Sequence, residues 1–318
     1  MNKKNVRQGT KIACTRTRLG KLKSDIKTNP GLYLMIVPVL LFYIVFFYFP
    51  MYGVNIAFRD YTPALGILDS PWVGFKHFKS FFNDIYFLRL IRNTLRISVT
   101  NLLFGFPAPI LLALMINEVK RKGFAKLVQT ITYMPHFISM VVICGMIKQF
   151  TTDTGIVTQF FSLFGFKPQT MLTNQDLFVP IYVVSGIWQT VGWSSIVYLA
   201  ALCSVDEQLY EAASIDGAGK LRQMIHVTLP GIIPTIAIML IMAIGSMLNV
   251  GYEKIILLYN SGIYETSDVI SSYVYRKGLL EFGWSYSTAV GLFNTVVNLL
   301  LLIISNNVSK KVSGTALW

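Results

Sequence analysis

The sequence predicts an all-α membrane protein of about six transmembrane helices, and three observations carry that reading. Of the 318 residues, 53% are hydrophobic and 14% charged, with a mean hydropathy of +0.55. A soluble domain of this size carries nearer a quarter charged residues. The apolar residues fall in long blocks, and about 20 consecutive apolar residues are what a helix needs to cross the hydrocarbon core. The net charge of +13 gathers in the N-terminal tail and between the blocks. Nucleic-acid binding is excluded on that distribution, because no folded soluble domain presents the basic residues.

Taken in order, residues 1–30 form a basic tail with Lys3, Lys4, Arg7, Lys11, Arg16, Arg18, Lys21, Lys23 and Lys27. Residues 31–50, GLYLMIVPVLLFYIVFFYFP, are the first span. The block is full span length and no small-residue cleavage site follows it, so it is read as an uncleaved span and not a signal peptide. Five further blocks follow at 97–117, 128–146, 178–202, 232–250 and 286–304, giving a transmembrane domain over 31–318 with its core at 93–306. Six spans put both termini on one side. Lys120, Arg121, Lys122 and Lys126 after the second span, and Lys310 and Lys311 after the sixth, make that side cytoplasmic. The intervening loops at 57–93 and 150–176 are rich in aromatic residues, which suit the lipid headgroup level or an external partner. Cys14, Cys144 and Cys203, like His77, His136 and His226, are scattered. Neither a disulfide framework nor a metal site is expected.

The loop at 204–230, SVDEQLYEAASIDGAGKLRQMIHVTLP, is unlike the others. Ser204 and Glu207 read as a capping box, and Leu209, Ala212 and Ala213 share one face of a short helix. Asp216-Gly217 supplies a turn in which glycine takes positive φ. Leu221, Met224, Ile225 and Thr228 follow at helical spacing up to Leu229-Pro230. The expectation is two short helices joined by a turn. Its small residues leave backbone open to a docking partner, while Glu207, Glu211 and Asp216 disfavour rest on an anionic leaflet.

This loop resembles the signature of binding-protein-dependent ABC importer permeases: EAA, three residues, G, nine residues, then I-x-LP. The chain has Glu211-Ala212-Ala213, Gly217 and Val227-Thr228-Leu229-Pro230, with valine in place of isoleucine. The resemblance extends from about Asn93 to the C-terminus and implies a coupling role for Glu211, Ala212, Ala213, Gly217, Leu229 and Pro230. It also implies partners: a second homologous permease subunit, two ATP-hydrolysing subunits and an extracytoplasmic solute-binding lipoprotein, all at a bacterial cell membrane. No G-x-x-x-x-G-K-[ST] occurs in the chain, so ATP is expected to be used by partner subunits and no cofactor to be bound here. Asn93-Thr94, the long first outer loop and DEQLYEAASIDGA look most like the sugar branch, similar to maltose-type permeases. Within it the run is similar to permeases for plant-polysaccharide oligosaccharides.

A sugar path needs polar and aromatic groups turned inward, because such groups are costly in lipid. The candidates are Gln189, Asn249 and Tyr252 first, then Trp188, Trp193, Asn294 and Asn298, with Ser194, Ser246 and Glu253 nearby. Hydrogen bonding between helices is the competing role for the polar ones. A permease of the same fold for peptides, amino acids or phosphate is the first alternative. A secondary transporter or channel is the second, although the six blocks hold no Asp or Glu to couple ions. A membrane enzyme lacks a catalytic cluster.

Overall fold

The structure, a computed structural model, describes residues 26–318. The basic tail, including Cys14, lies outside the described residues apart from its last few positions. The chain divides into two units that meet between Asn55 and Ile56. The first carries most of α1 (Pro30–Phe58). Its side chains are apolar on every face, as befits a helix surrounded by lipid or other helices rather than one floating on a core. Pro38 sits inside it, a π-helical turn runs over Ile44–Tyr48, and Phe42, Tyr43, Phe46 and Phe47 pack ring against ring.

The second unit is all helix and loop among the described residues. Among its helices are α2 (Lys76–Phe82), α3 (Phe87–Asn117), α4 (Lys122–Phe137), α5 (Met140–Phe150), α6 (Gln175–Leu202), α7 (Glu207–Ile215), α8 (Lys220–Gly245), α9 (Tyr252–Leu258), α10 (Ile270–Tyr275) and α11 (Trp284–Ser313). By length and composition α1, α3, α8 and α11 each suffice to cross a membrane. The fourth block, α6, is 28 residues and about 42 Å long. It is less apolar than those four because Gln189, Thr190 and several serines interrupt it.

Two expectations are corrected. The block at 128–146 is no straight span: α4 and α5 meet at a 100° bend. Pro135 ends the first limb, and Ser139 opens the second by accepting a hydrogen bond from the Val142 amide. The second helix of the 204–230 loop does not close at Leu229-Pro230 but continues as α8 into the fifth span. A π-helical turn at Met224–Thr228 precedes Pro230, and proline is tolerated where helical hydrogen bonding is already broken.

Three buried clusters hold the unit together. Ile97, Ile143, Phe178, Val183 and Ile255 join α3, α5, α6 and α9. Ile110, Ala113, Tyr198, Leu202 and Ile232 join α3, α6 and α8. Phe81, Leu90, Ile270, Tyr273 and Val290 lock α2 and α3 to α10 and α11. Helix α6 lies so close to α4 that a Cβ at Gly192 would stand 2.2 Å from the Thr132 carbonyl oxygen. Beside the third cluster Asp268, fully buried, receives Arg276 Nη2 at 2.7 Å, Arg89 Nη2 at 3.1 Å and Ser272 Oγ at 2.8 Å. Asn93 Nδ2 donates to the carbonyls of Glu265 and Asp268, and Thr94 Oγ1 accepts from the Ile270 amide. The Asn93-Thr94 pair thus ties the start of α3 to the segment before α10.

Candidate functional site

The first candidate is the loop between α6 and α8. Its helix α7 opens on Asp206, whose carboxylate accepts from the Gln208 amide at 2.9 Å. The expected capping box is therefore displaced: Ser204 Oγ instead donates to the Ala201 carbonyl at the end of α6. The helix closes as expected. Gly217 takes φ +74°, its amide bonds to the Ser214 carbonyl at 3.1 Å, and the Ala218 amide reaches the Ala213 carbonyl at 2.9 Å. These two bonds form a Schellman closure, which needs a left-handed residue at this position.

The two faces of α7 differ in use. Tyr210 and Ser214, one turn apart, face α8: Tyr210 OH donates to Thr228 Oγ1 at 3.0 Å, and Gln223 Nε2 donates to Ser214 Oγ at 2.9 Å and the Ala218 carbonyl at 3.0 Å. Thr228 and Gln223 are both buried. Glu211, Ala212 and Ile215 lie on the opposite side and are exposed, Ile215 by 87%. Glu211 has no hydrogen-bond or ionic partner among the described residues. A large aliphatic side chain thus stands beside an unpaired carboxylate on a helix braced from behind. Ala213 is half-buried, Leu229 half-buried and Pro230 exposed.

The second candidate is a half-open cavity of about 520 Å³ lined by α3, α6 and α8 with the turn after α8. Its polar lining comes from Ser98 and Asn101 on α3, Thr190, Ser194 and Tyr198 on α6, and Ser246 and Asn249 beyond α8; Tyr182 closes one side. None of the lining residues is charged. Asn249 Oδ1 accepts from Asn294 Nδ2 at 3.0 Å and Asn298 Nδ2 at 2.9 Å, and Asn298 Oδ1 accepts from the Leu248 amide. Asn294 and Asn298 thus act on α11 as the struts that hold Asn249 at the cavity wall.

The remaining sequence candidates lie elsewhere. Gln189 is buried on another face of α6. Trp193 is half-exposed and stacks on His136 at the bend between α4 and α5, centroids 4.6 Å apart. Trp188 is exposed, and exposed Tyr252 stacks on Tyr275. The structure thus places Asn249, Ser194 and Ser246 in the cavity lining, with Asn294 and Asn298 bonded to Asn249 but not themselves lining it, and leaves Gln189, Trp188, Trp193 and Tyr252 outside. Ser98, Asn101 and Thr190 were missed by sequence reasoning. Their signal was there: Ser98 and Asn101, three apart, are polar residues on one face of an apolar span.

Three comparisons bear on this geometry. Residues 105–314 match the family model described as binding-protein-dependent transport system inner membrane component. The chain is 46% identical over 281 residues, 88% of each chain, to the polygalacturonan/rhamnogalacturonan transport system permease protein YteP of Bacillus subtilis (strain 168). It is 44% identical over 294 residues, 92% of each chain, to Protein LplB of the same organism. It also resembles a chain in the crystal structure of a bacterial alginate ABC transporter in complex with alginate pentasaccharide-bound periplasmic protein. That match has a TM-score of 0.85 and 45% identity over 93% of this chain and 100% of the other.

Proposed function

Because the chain belongs to the family of binding-protein-dependent transport system inner membrane components, we propose that it is the permease of an ATP-driven importer of oligosaccharides. It takes them from an extracytoplasmic binding protein. The observation that carries this is α7, a short helix braced from behind on the base of α8 while presenting Glu211, Ala212 and Ile215 outward. A partner that hydrolyses ATP and closes against this face moves α8 with it, because Thr228 and Gln223 join the loop to that helix. The cavity that α8 helps to enclose then changes shape, and alternating access follows from two such arrangements.

The sugar assignment is supported by the relatives, one named for polygalacturonan and rhamnogalacturonan and one solved with an alginate pentasaccharide. The cavity chemistry agrees with it, since neutral hydroxyl and amide groups match those of a sugar. The basic residues around Arg121 and at Lys310-Lys311 favour a cytoplasmic side for α7 and for both termini.

Purification of the tagged chain from its native membrane, with mass spectrometry of what accompanies it, tests the reading. A second permease chain and an ATP-hydrolysing subunit are expected. Recovery as a lone chain or simple homo-oligomer that transports without ATP would contradict it.

A further inference from the structure

Lys254, on α9, is 5% exposed. Its Nζ donates to the Tyr182 carbonyl at 2.9 Å and stands 4.7 Å from the centroid of the Tyr182 ring. A Cβ at Gly186 would lie 3.4 Å from that nitrogen, so glycine leaves the ammonium room against α6. No carboxylate forms an ion pair with it among the described residues, and its chain neighbour Glu253 is exposed. A buried cation without a counter-charge is expensive, and such a group within a membrane bundle marks a functional position. Tyr182, against which Lys254 packs, and Gly251, three residues before it, both line the cavity described above, whose wall carries no charge. The ammonium therefore stands one aromatic ring behind a neutral wall, and a low-dielectric cleft focuses its field inward.

We propose that Lys254 makes this path select carboxylate-bearing oligosaccharides, through its field rather than by contact. The inference rests on the oligosaccharide-importer reading and adds the charge of the substrate to it. A uronate entering the cavity supplies the missing counter-charge and recovers part of the desolvation that its own carboxylate loses. A neutral sugar gains nothing from the ammonium. A purely structural Lys254, holding α9 to α6 through the Tyr182 carbonyl, would affect acidic and neutral sugars alike.

The test uses the complex of this chain with its copurifying partners, in detergent and without binding protein, so that only the membrane path discriminates. The probes are radiolabelled trigalacturonate and its carboxyl-reduced counterpart, which share linkage and size. The wild type is expected to bind the acid about ten-fold tighter or more at low salt, a size set by one unit charge across a few ångströms of protein. Lys254→Met, similar in shape and uncharged, is expected to bind both with the affinity of the neutral sugar. Lys254→Arg keeps the charge and retains the preference, and guards against a Met variant that fails to assemble. Equal affinities in the wild type, a preference for the neutral sugar, a preference unchanged in Lys254→Met, or no binding of either overturns the proposal. Tight binding of the neutral trisaccharide would leave the importer reading standing. Binding of neither, with no ATP-driven sugar uptake in vesicles, would remove both.

Discussion

Gly217 and Gly219 are two residues apart and take φ of +74° and −70°. Neither has an atom within 4 Å of where a Cβ would stand, so backbone conformation alone separates them. Gly217→Ala is expected to cost about 1–2 kcal/mol in the loop, the penalty of a left-handed residue with a Cβ, while Gly219→Ala is tolerated. Limited proteolysis at the basic residues of the loop, Lys220 and Arg222, should be faster in the first variant only. Asp268 and Glu265 make a second contrast. Asp268 is fully buried between Arg89 and Arg276, whereas the Arg92–Glu265 pair is exposed on both sides. Asp268→Asn leaves the half-buried Arg89 and Arg276 guanidinium groups short of a charge and should cost about 3 kcal/mol. Glu265→Gln should cost under about 1 kcal/mol. Thermal unfolding of the two variants in one detergent checks the order; equal melting temperatures would contradict it.

At the scale of elements, the brace behind α7 separates docking from transmission. Gln223→Leu combined with Tyr210→Phe removes the hydrogen bonds donated to Ser214 and Thr228 without touching Glu211 or Ile215. The ATP-hydrolysing partner should stay bound and active while sugar carried per ATP falls several-fold. A proportionate loss of ATP hydrolysis and uptake would mean the brace only stabilises the loop. Elsewhere Asp84, outside the spans, ties α10 and α11 to the start of α3 by accepting from Tyr273 OH at 2.6 Å and Tyr286 OH at 2.7 Å. Burial raises its carboxyl, but the two phenols, the Tyr86 amide and Lys277 outweigh that and hold it below the usual carboxylate range. Its contribution is therefore complete above an unfolded value near 4 and lost as pH falls through the lower folded one. Protease access to residues 56–85 should rise in acid, and Asp84→Asn should flatten that dependence.

These elements also show what the sequence made legible. The turn at Gly217 could be read from Asp-Gly after a helical run, and α1, α3 and α11 from their apolar length. The bend between α4 and α5 escaped because hydropathy has no direction: Pro135 and Ser139 interrupt a block without lowering its average. The continuity of α8 escaped because Leu229-Pro230 reads as a boundary, and only the preceding π-helical turn lets the helix pass through it. The cavity was half legible. Asn249 was found as a polar residue in an apolar run, but which face of α3 or α6 turns inward depends on packing that sequence does not contain. Lys254 is not legible as a buried cation, because it falls just past a block.

At the scale of the whole molecule, the proposed role makes the chain one part of a larger machine. It has no phosphate-binding loop, so the purified chain is expected to hydrolyse no ATP, with turnover appearing only on addition of the ATP-hydrolysing subunit. A reporter fused after Lys122 or at the C-terminus should read the cytoplasm, and one at Asp69 the outside. The cavity, lined by hydroxyl and amide groups and by no coupling carboxylate, agrees with the 46% identity to a polygalacturonan/rhamnogalacturonan permease and the match to an alginate importer. The central claim is that α7 is where the power enters. Gly217→Val tests it most directly, since it places a β-branched residue at φ +74° outside every span and leaves insertion intact. Copurification of the ATP-hydrolysing subunit and sugar uptake should be measured in the same preparations, with Glu211→Ala alongside. Gly217→Val is expected to insert normally, lose the ATP-hydrolysing subunit and abolish uptake. Glu211→Ala should follow more mildly, as befits one charge-assisted hydrogen bond of about 1.5–3 kcal/mol. Normal copurification together with normal uptake in Gly217→Val would contradict it.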